Sequence, residues 1–487
     1  MLKKDTNASI IKPGVLPETS DSNFLQQGDN GGLIRRMSKP TDIQLTEIFA
    51  QTEQFDYRSP MKFGGRVVRN VVLLNVTVTV KNRQGKMATG FGSMPMGNIW
   101  AWPGGITEPD VTLQAMIAFG KRVVQEAATF RDFGHPLELT CDFAKEYHKI
   151  AEKLVSDCFP DLKESMPKLA QMVAASPFEA AVFDAYGKLY DKNVYNLLGK
   201  DWVNRDLGEY LGNEFRGEYL DQYTLRTPKD RMPLYHLVGA LDPLSASDVV
   251  QPIKDGLPEH FADWIPYNGL THIKIKLNGD DLDWDVKRVL DIDRIAMQEQ
   301  QKRGCTKWFY STDFNERCEN VEYVLEFLEK IKEGSKEAID RVQYIEQPTH
   351  RDLRLHPENK MHRAAAIKPI VIDESLVDFE SLLESRRMGY SGVAIKACKG
   401  HAEALLMAAA AQKYGMFLCV QDLTCPGASF LHSASLSARI PTVAAIEGNG
   451  RQYCPTANRV WEERYPTMFH FTEGTLGTSS LIGAGLY

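Results

Sequence analysis

The 487-residue chain contains no run of about 18 consecutive apolar residues, so no segment reads as a membrane-spanning helix. Nor does it carry excess positive charge. Its net charge is -7, which argues against a nucleic-acid backbone or an anionic membrane as partner. Eight cysteines are scattered without a Cys-x-x-Cys pair, several inside strand-like apolar runs, the pattern of buried reduced thiols. The eleven histidines lack metal-ligand spacing, which disfavours a zinc site. No glycine-rich phosphate loop follows an early strand, so a dinucleotide-binding sheet lacks support. The N-terminal Met-Leu-Lys-Lys-Asp-Thr-Asn has neither the apolar core nor the cleavage site of a signal peptide, and a cytoplasmic protein is expected.

What is present is an ordinary globular composition, 43% hydrophobic and 25% charged, on a chain too long for one average domain. Residues 1–45 are polar and rich in Gly, Asn, Ser and Asp, and read as a tail. Residues 46–231 read as an α+β domain. Its β-branched run Arg66–Val80 and the returning segment from Met87 to Gly92, joined by Lys-Asn-Arg-Gln-Gly85, form a hairpin, and helices follow over 108–199. Within them Phe178, Ala181, Val182, Ala185 and Leu189 fall on one helical stripe. The segment Gly92 to Gly105 reads as an irregular loop.

From about 232 to 455 the pattern becomes strand, helix, strand, helix. Eight strand-like runs fall at Leu234–Gly239, His272–Leu277, Trp308–Asp313, Gln343–Glu346, Ile370–Asp373, Val393–Cys398, Phe417–Gln421 and Val443–Glu447. Eight such units in series predict an α/β fold with a closed parallel barrel, whose site lies at the C-terminal strand ends. Residues 456–487 are expected to pack back on the first domain.

Three of these runs end in acids, Asp313, Glu346 and Asp373. Lysines flank the series, with Lys274 and Lys276 before it and Lys396 and Lys399 after it. Strand side chains alternate, so Lys274 and Lys276 share a face, as do Ser311, Asp313 and Asn315. One carboxylate at a strand end is ordinarily a structural ion pair. Three on successive units would repel one another without a cation, and all-oxygen ligation suits Mg²⁺. A metal beside a substrate carboxylate stabilises the charge left by α-proton loss, and a lysine on each side can carry the proton.

Together, Lys274-Ile-Lys276, Asp313-Phe-Asn315, Ile345-Glu346-Gln347-Pro348, Asp373-Glu374-Ser375 and Lys396-Ala-Cys-Lys399 resemble the enolase superfamily, in its muconate-lactonizing-enzyme-like subgroup. Pro177 to Asp184, with Leu197-Leu-Gly199, is similar to the family's helix before the barrel. The resemblance implies a modified (β/α)7β TIM-type barrel under an N-terminal α+β capping domain completed by the C-terminal segment. It implies one Mg²⁺, with Mn²⁺ as a substitute, held by Asp313, Glu346 and Asp373. Lys276 and Lys396 become the acid/base pair, supported by Lys274, Asn315 and Lys399. Glu374 is the rival third ligand and otherwise is expected to hydrogen-bond Lys396.

The seventh strand, ending Gln421-Asp422, lacks the histidine of the mandelate-racemase branch. Glu447-Gly-Asn449 replaces the Asp-x-Asp of dipeptide epimerases, which argues against a dipeptide. These four polar residues, with Arg58 and Trp100 from the cap, are the expected substrate contacts, Arg58 for a second carboxylate or phosphate. Racemisation or epimerisation of a small carboxylate is the expected reaction, with elimination or cycloisomerisation as the rival. A non-catalytic scaffold would be expected to lack some of these residues. The family's habit implies a dimer or dimer-based assembly.

Overall fold

The computed structural model describes residues 38–63, 66–103 and 106–487. Most of the expected polar tail lies outside them. Three long strands, β1 (Ile43–Phe63), β2 (Arg66–Asn82) and β3 (Met87–Pro95), form an antiparallel sheet in the order β1-β2-β3. The β2–β3 hairpin is the expected one, turning at Gly85 with φ 83°. The strand β1 was not expected. Its middle residues Gln51–Gln54 are exposed on both faces, so no apolar alternation marks it. Of the expected loop Gly92–Gly105, residues 104 and 105 lie outside the described residues, and the rest is more regular than its composition suggests, since β3 runs to Pro95 and Asn98–Ala101 makes a helical turn.

Against this sheet lies the helix Lys168–Leu189. It is covered on all sides, all but one of its residues from Leu169 to Leu189 being buried, so the apolar stripe understates its burial. Gly90 and Gly92 make that contact possible. A Cβ on Gly92 would stand 1.9 Å from the Pro177 carbonyl oxygen, and one on Gly90 would stand 2.2 Å from that of Ala181.

The second domain is a closed parallel barrel of β4 (Arg231–Val238), β5 (His272–Lys276), β6 (Phe309–Asp313), β7 (Val342–Glu346), β8 (Ile370–Ile372), β9 (Gly392–Ile395), β10 (Phe417–Val420) and β11 (Val443–Glu447). Pairing of Ile446 with Leu234 and of Glu447 with Tyr235 closes it. Helical segments fill the seven connections, and the chain after β11 leaves the barrel without an eighth barrel helix, giving (β/α)7β rather than eight full units. β12 (Thr475–Gly477) pairs antiparallel with β4. The C-terminus then reaches the cap, where the Leu486 amide donates to Asp184 Oδ1 at 3.0 Å and the Val194 amide to the Gly485 carbonyl at 2.8 Å.

Among the described residues no helix is long and apolar enough to cross a membrane, and none of the eight cysteines is in a disulfide.

Candidate active site

The barrel interior is built in layers. An inner layer of Tyr235, Tyr344, Val371, Ala394, Cys419 and Ala445 is fully buried and closes the lumen from below. Because strand side chains repeat every second residue, the next inward position on each strand lies two residues further toward the mouth. On β7 to β11 those positions are Glu346, Asp373, Lys396, Gln421 and Glu447, all buried. On β5 and β6 the same layer holds Lys276 and Asp313, paired across the ladder, and Asp313 pairs in turn with Glu346. An apolar plug thus carries a ring of charge on top of it.

Lys274 is the hub of this ring. Its Nζ donates to Glu346 Oε1 at 2.9 Å, Gln421 Oε1 at 2.7 Å and Glu447 Oε2 at 2.9 Å, and lies 3.0 Å from Asp313 Oδ2. Burial alone would lower its pKa, but Asp313, Glu346, Glu447 and Asp373 outweigh it and hold the ammonium well above its ordinary value. Lys276 Nζ donates to Asp313 Oδ2 and, at 2.9 Å, to Asn315 Oδ1. On the far side Lys396 Nζ pairs with Asp373 Oδ2 at 2.8 Å, and Lys399 with Asp373 Oδ1 at 3.2 Å. Burial opposes the charge on Lys396 too, yet Asp373 keeps its pKa raised. Lys399 has its own lowered, chiefly by burial.

The acids divide by their neighbours. Burial would raise Asp313 and Asp373, but the paired lysines depress both below the usual carboxylate range. Glu346 is raised well above that range by burial and by the charge of Asp313. Glu374 and Asp422 are each pushed up to about 7, by burial and then by Asp373 and Glu447 respectively. Glu374 does not bond Lys396 as expected. Adjacent residues leaving a strand point to opposite sides, so Asp373 takes the lysine, while Glu374 Oε1 accepts from Trp100 Nε1 at 2.9 Å and Asn315 Nδ2 at 3.1 Å.

Asp422 accepts from the amides of Thr424, Cys425 and Asn449 at 3.1 to 3.2 Å, and Asn449 Nδ2 donates to Glu447 Oε1. Gln421, Asp422, Glu447 and Asn449 therefore form the wall beside Lys274. Trp100 roofs the opposite side, its ring centroid 4.0 Å from Lys396 Nζ. Arg58 stands elsewhere. Its guanidinium grips Asp255 at 2.6 and 2.7 Å beside a cavity of about 280 Å³ lined by His236 and Trp264, outside the ring of charge.

Several contacts that hold the site together carry no local sequence signal. Arg351 makes a two-pronged pair with Glu316 and donates to the Trp100 carbonyl at 3.0 Å, joining two barrel loops to the cap. Asn315, Glu316 and Gln347 have φ of 44°, 62° and 28°, left-handed backbone gathered at the loops after β6 and β7. Gln347 reaches the next loop, its Oε1 accepting from the amides of Asp373 at 3.0 Å and Ser375 at 3.2 Å. Glu179 of the cap accepts from the Ala402 amide at 3.3 Å, buttressing the turn that carries Lys396 and Lys399. Only a shared fold could bring these remote segments together.

Among the described residues no three acid, His or Cys side chains already surround one point as a finished metal site, because the lysine ammoniums take the carboxylate oxygens. The donor chemistry nevertheless fits a hard divalent cation. Six buried acids (Asp313, Glu346, Asp373, Glu374, Asp422 and Glu447) face four buried lysines (274, 276, 396 and 399), and Glu346 Oε2 is buried with no hydrogen-bond partner.

Residues 257–486 match the family model described as enolase C-terminal domain-like. The whole fold is similar to that of a mandelate racemase/muconate lactonizing protein from Herpetosiphon aurantiacus. That likeness has a TM-score of 0.58 at 20% identity and covers 92% of this chain and 99% of that one. A muconate lactonizing enzyme from Pseudomonas fluorescens, complexed with muconolactone, is similar at TM-score 0.55 and 18% identity, covering 91% and 95%. A dipeptide epimerase from Enterococcus faecalis V583, complexed with Mg and L-Leu-L-Tyr, is similar at 0.57 and 15%, covering 91% and 99%. At such identities the likeness establishes the fold. No curated protein matches the chain in sequence.

Proposed function

We propose that the protein is a Mg²⁺-dependent enzyme that removes the α-proton of a small carboxylate substrate, most simply to racemise or epimerise it. The observation that carries this reading is the placement of Lys276 and Lys396. Their strands, β5 and β9, stand four positions apart in an eight-stranded ring, so the two amines face each other across the lumen. The strands between them, β6 to β8, bring Asp313, Glu346 and Asp373. Those three would hold the cation, which supplies a clamp for the substrate carboxylate and stabilises negative charge on it.

In this reading Lys276 takes the α-proton from one face. The C–H electron pair moves into the carboxylate as an enediolate. Lys396, kept charged by Asp373, returns a proton to the opposite face as the pair re-forms a C–H bond, and the configuration inverts. In the reverse direction the two lysines exchange roles. Asn315 positions Lys276, and Lys274 stays charged as the fixed counterion of the acids around it. Trp100 and Arg351 close the cap over the Lys396 side and limit access of water.

The test is deuterium incorporation from D₂O into each enantiomer of a turned-over acid. Lys276→Ala and Lys396→Ala should each abolish exchange from one enantiomer and spare the other. Full exchange of both enantiomers by both variants would overturn the two-base reading, and an unsaturated or cyclised product would replace it with elimination or cycloisomerisation. A dimer or dimer-based assembly in the cytoplasm is proposed alongside, with light scattering as the check on assembly.

A further inference from the structure

The first barrel strand, β4, divides two environments. Tyr235 faces inward, into the apolar plug below the ring of charge, and Leu237 packs against Met61 and Tyr453. His236 between them points the other way, as strand alternation requires. Its ring lies 5.2 Å from that of Trp264, on the helix Phe261–Asn268 that covers the outside of the barrel. The cavity of about 280 Å³ beside Arg58 opens on this outer side. β4 stands between it and Lys274, whose backbone pairs with Leu237. The cavity is therefore walled off from the ring of charge.

Its lining has the features of a ligand site. His236 is 4% exposed, and among the described residues no hydrogen bond reaches its imidazole. A buried polar group ordinarily has a partner, and here the ring faces an open cavity. Burial lowers its pKa to about 3, so the imidazole is neutral and offers one donor and one acceptor. Trp264 and Phe261 are buried beside it, while Leu241 and Val250 are exposed at the rim. An apolar concave surface with a few convergent polar groups is the usual form of a small-molecule pocket.

Charge narrows the class of ligand. Asp242, Asp248 and Glu259 line the cavity, and among the described residues none of them forms an ion pair with a lysine or arginine. Arg58 is the one lysine or arginine in the lining, and its charge is taken by Asp255 at 2.6 Å. An anion would meet an excess of acids. A cation gains from the same acids and from the face of Trp264.

We propose that this cavity is a second small-molecule site, separate from the ring of charge, which takes a protonated aromatic amine. The aromatic part lies against Trp264 and Phe261, with His236 as its hydrogen-bond partner, and the ammonium turns toward the acids. Since a cavity of about 150 Å³ holds benzene, the space here admits a fused bicyclic ring with a short amine arm. Arg58 and Pro60 belong to the cap strand β1 and the other lining groups named here to the barrel, so a bound amine bridges the two domains. The proposal does not depend on the reaction proposed above.

The test is calorimetric titration of the full-length chain with tryptamine, with indole as the neutral counterpart and indole-3-acetate as the anionic one. The wild type should bind one tryptamine with a Kd below about 1 mM, and indole-3-acetate about tenfold more weakly or not at all. Glu259→Gln keeps the acceptor that the Lys254 amide uses at 2.6 Å and removes one negative charge. It should weaken tryptamine about threefold and leave indole unchanged. His236→Phe keeps the ring and removes its hydrogen bonds, and should weaken both tryptamine and indole about tenfold. Failure of the wild type to bind tryptamine, equal affinity for the amine and the acid, or an unchanged tryptamine affinity in either variant would overturn the proposal. Displacement of tryptamine by Mg²⁺ would also overturn it, because the amine would then sit on the buried acids of the ring.

Discussion

Replacing Lys274 by methionine tests the charge ring most sharply. The ammonium is 1% exposed and serves two glutamates and a glutamine within 2.9 Å, with Asp313 at 3.0 Å. At an effective dielectric near 20, each contact with a charged acid is worth roughly 5 kcal/mol of attraction, much of it spent on desolvation and on repulsion among the acids. Removing the cation alone leaves those acids buried and uncompensated, a loss of about 3–5 kcal/mol.

The raised pKa sets the pH window. This stabilisation is complete below the unfolded lysine value, about 10.4, and fades only as pH rises through the folded value above it, so the deficit is at full size at pH 7. Urea unfolding in EDTA, followed by tryptophan fluorescence, measures it. The account also requires Mg²⁺ to stabilise Lys274→Met more than the wild type, because the freed carboxylates face the cation without competition. A loss below about 1 kcal/mol, against the 3–5 kcal/mol expected for a broken buried pair, would refute the reasoning. So would an identical Mg²⁺ effect on both proteins.

Gly92→Ala should cost about 3 kcal/mol or more in urea unfolding, because its Cβ meets the backbone of the Lys168–Leu189 helix, which no rotamer change can relieve. Glu179 is pushed up to about 8 by burial and by Glu403, so its share of stability is complete below the unfolded carboxyl value and is lost as pH rises toward 8. Glu179→Gln should therefore match the wild type at pH 5 and exceed it by about 1–3 kcal/mol at pH 9, as read by urea midpoints. Arg351→Ala removes the clamp on the Trp100 carbonyl and should cost about 1–3 kcal/mol. Hydrogen exchange should quicken at residues 96–102 while the barrel strands keep their protection.

The barrel could be read from the chain because burial on both strand faces produces short apolar runs, and seven helical spacers repeat between them. The site could be read for the same reason. Glu346, Asp373 and Lys396 each break an apolar run at its C-terminal end, two residues beyond a buried partner, and a barrel makes such positions converge. β1 escaped notice because its middle faces solvent on both sides. Gly92 opens the expected loop, although it is, like Gly90, a strand residue cut down to admit a helix. The contacts of Arg351 and Glu179 join segments 35 to 251 residues apart, and nothing local in a sequence encodes them.

The most direct test of the central claim is α-proton exchange in D₂O by NMR, run with Mg²⁺ over acid sugars, N-acyl amino acids, dipeptides and betaines. The account predicts exchange on at least one acid, stopped by EDTA and restored by Mg²⁺. Exchange that persists in EDTA, or a protein that neither binds Mg²⁺ nor exchanges any of these acids, would contradict it.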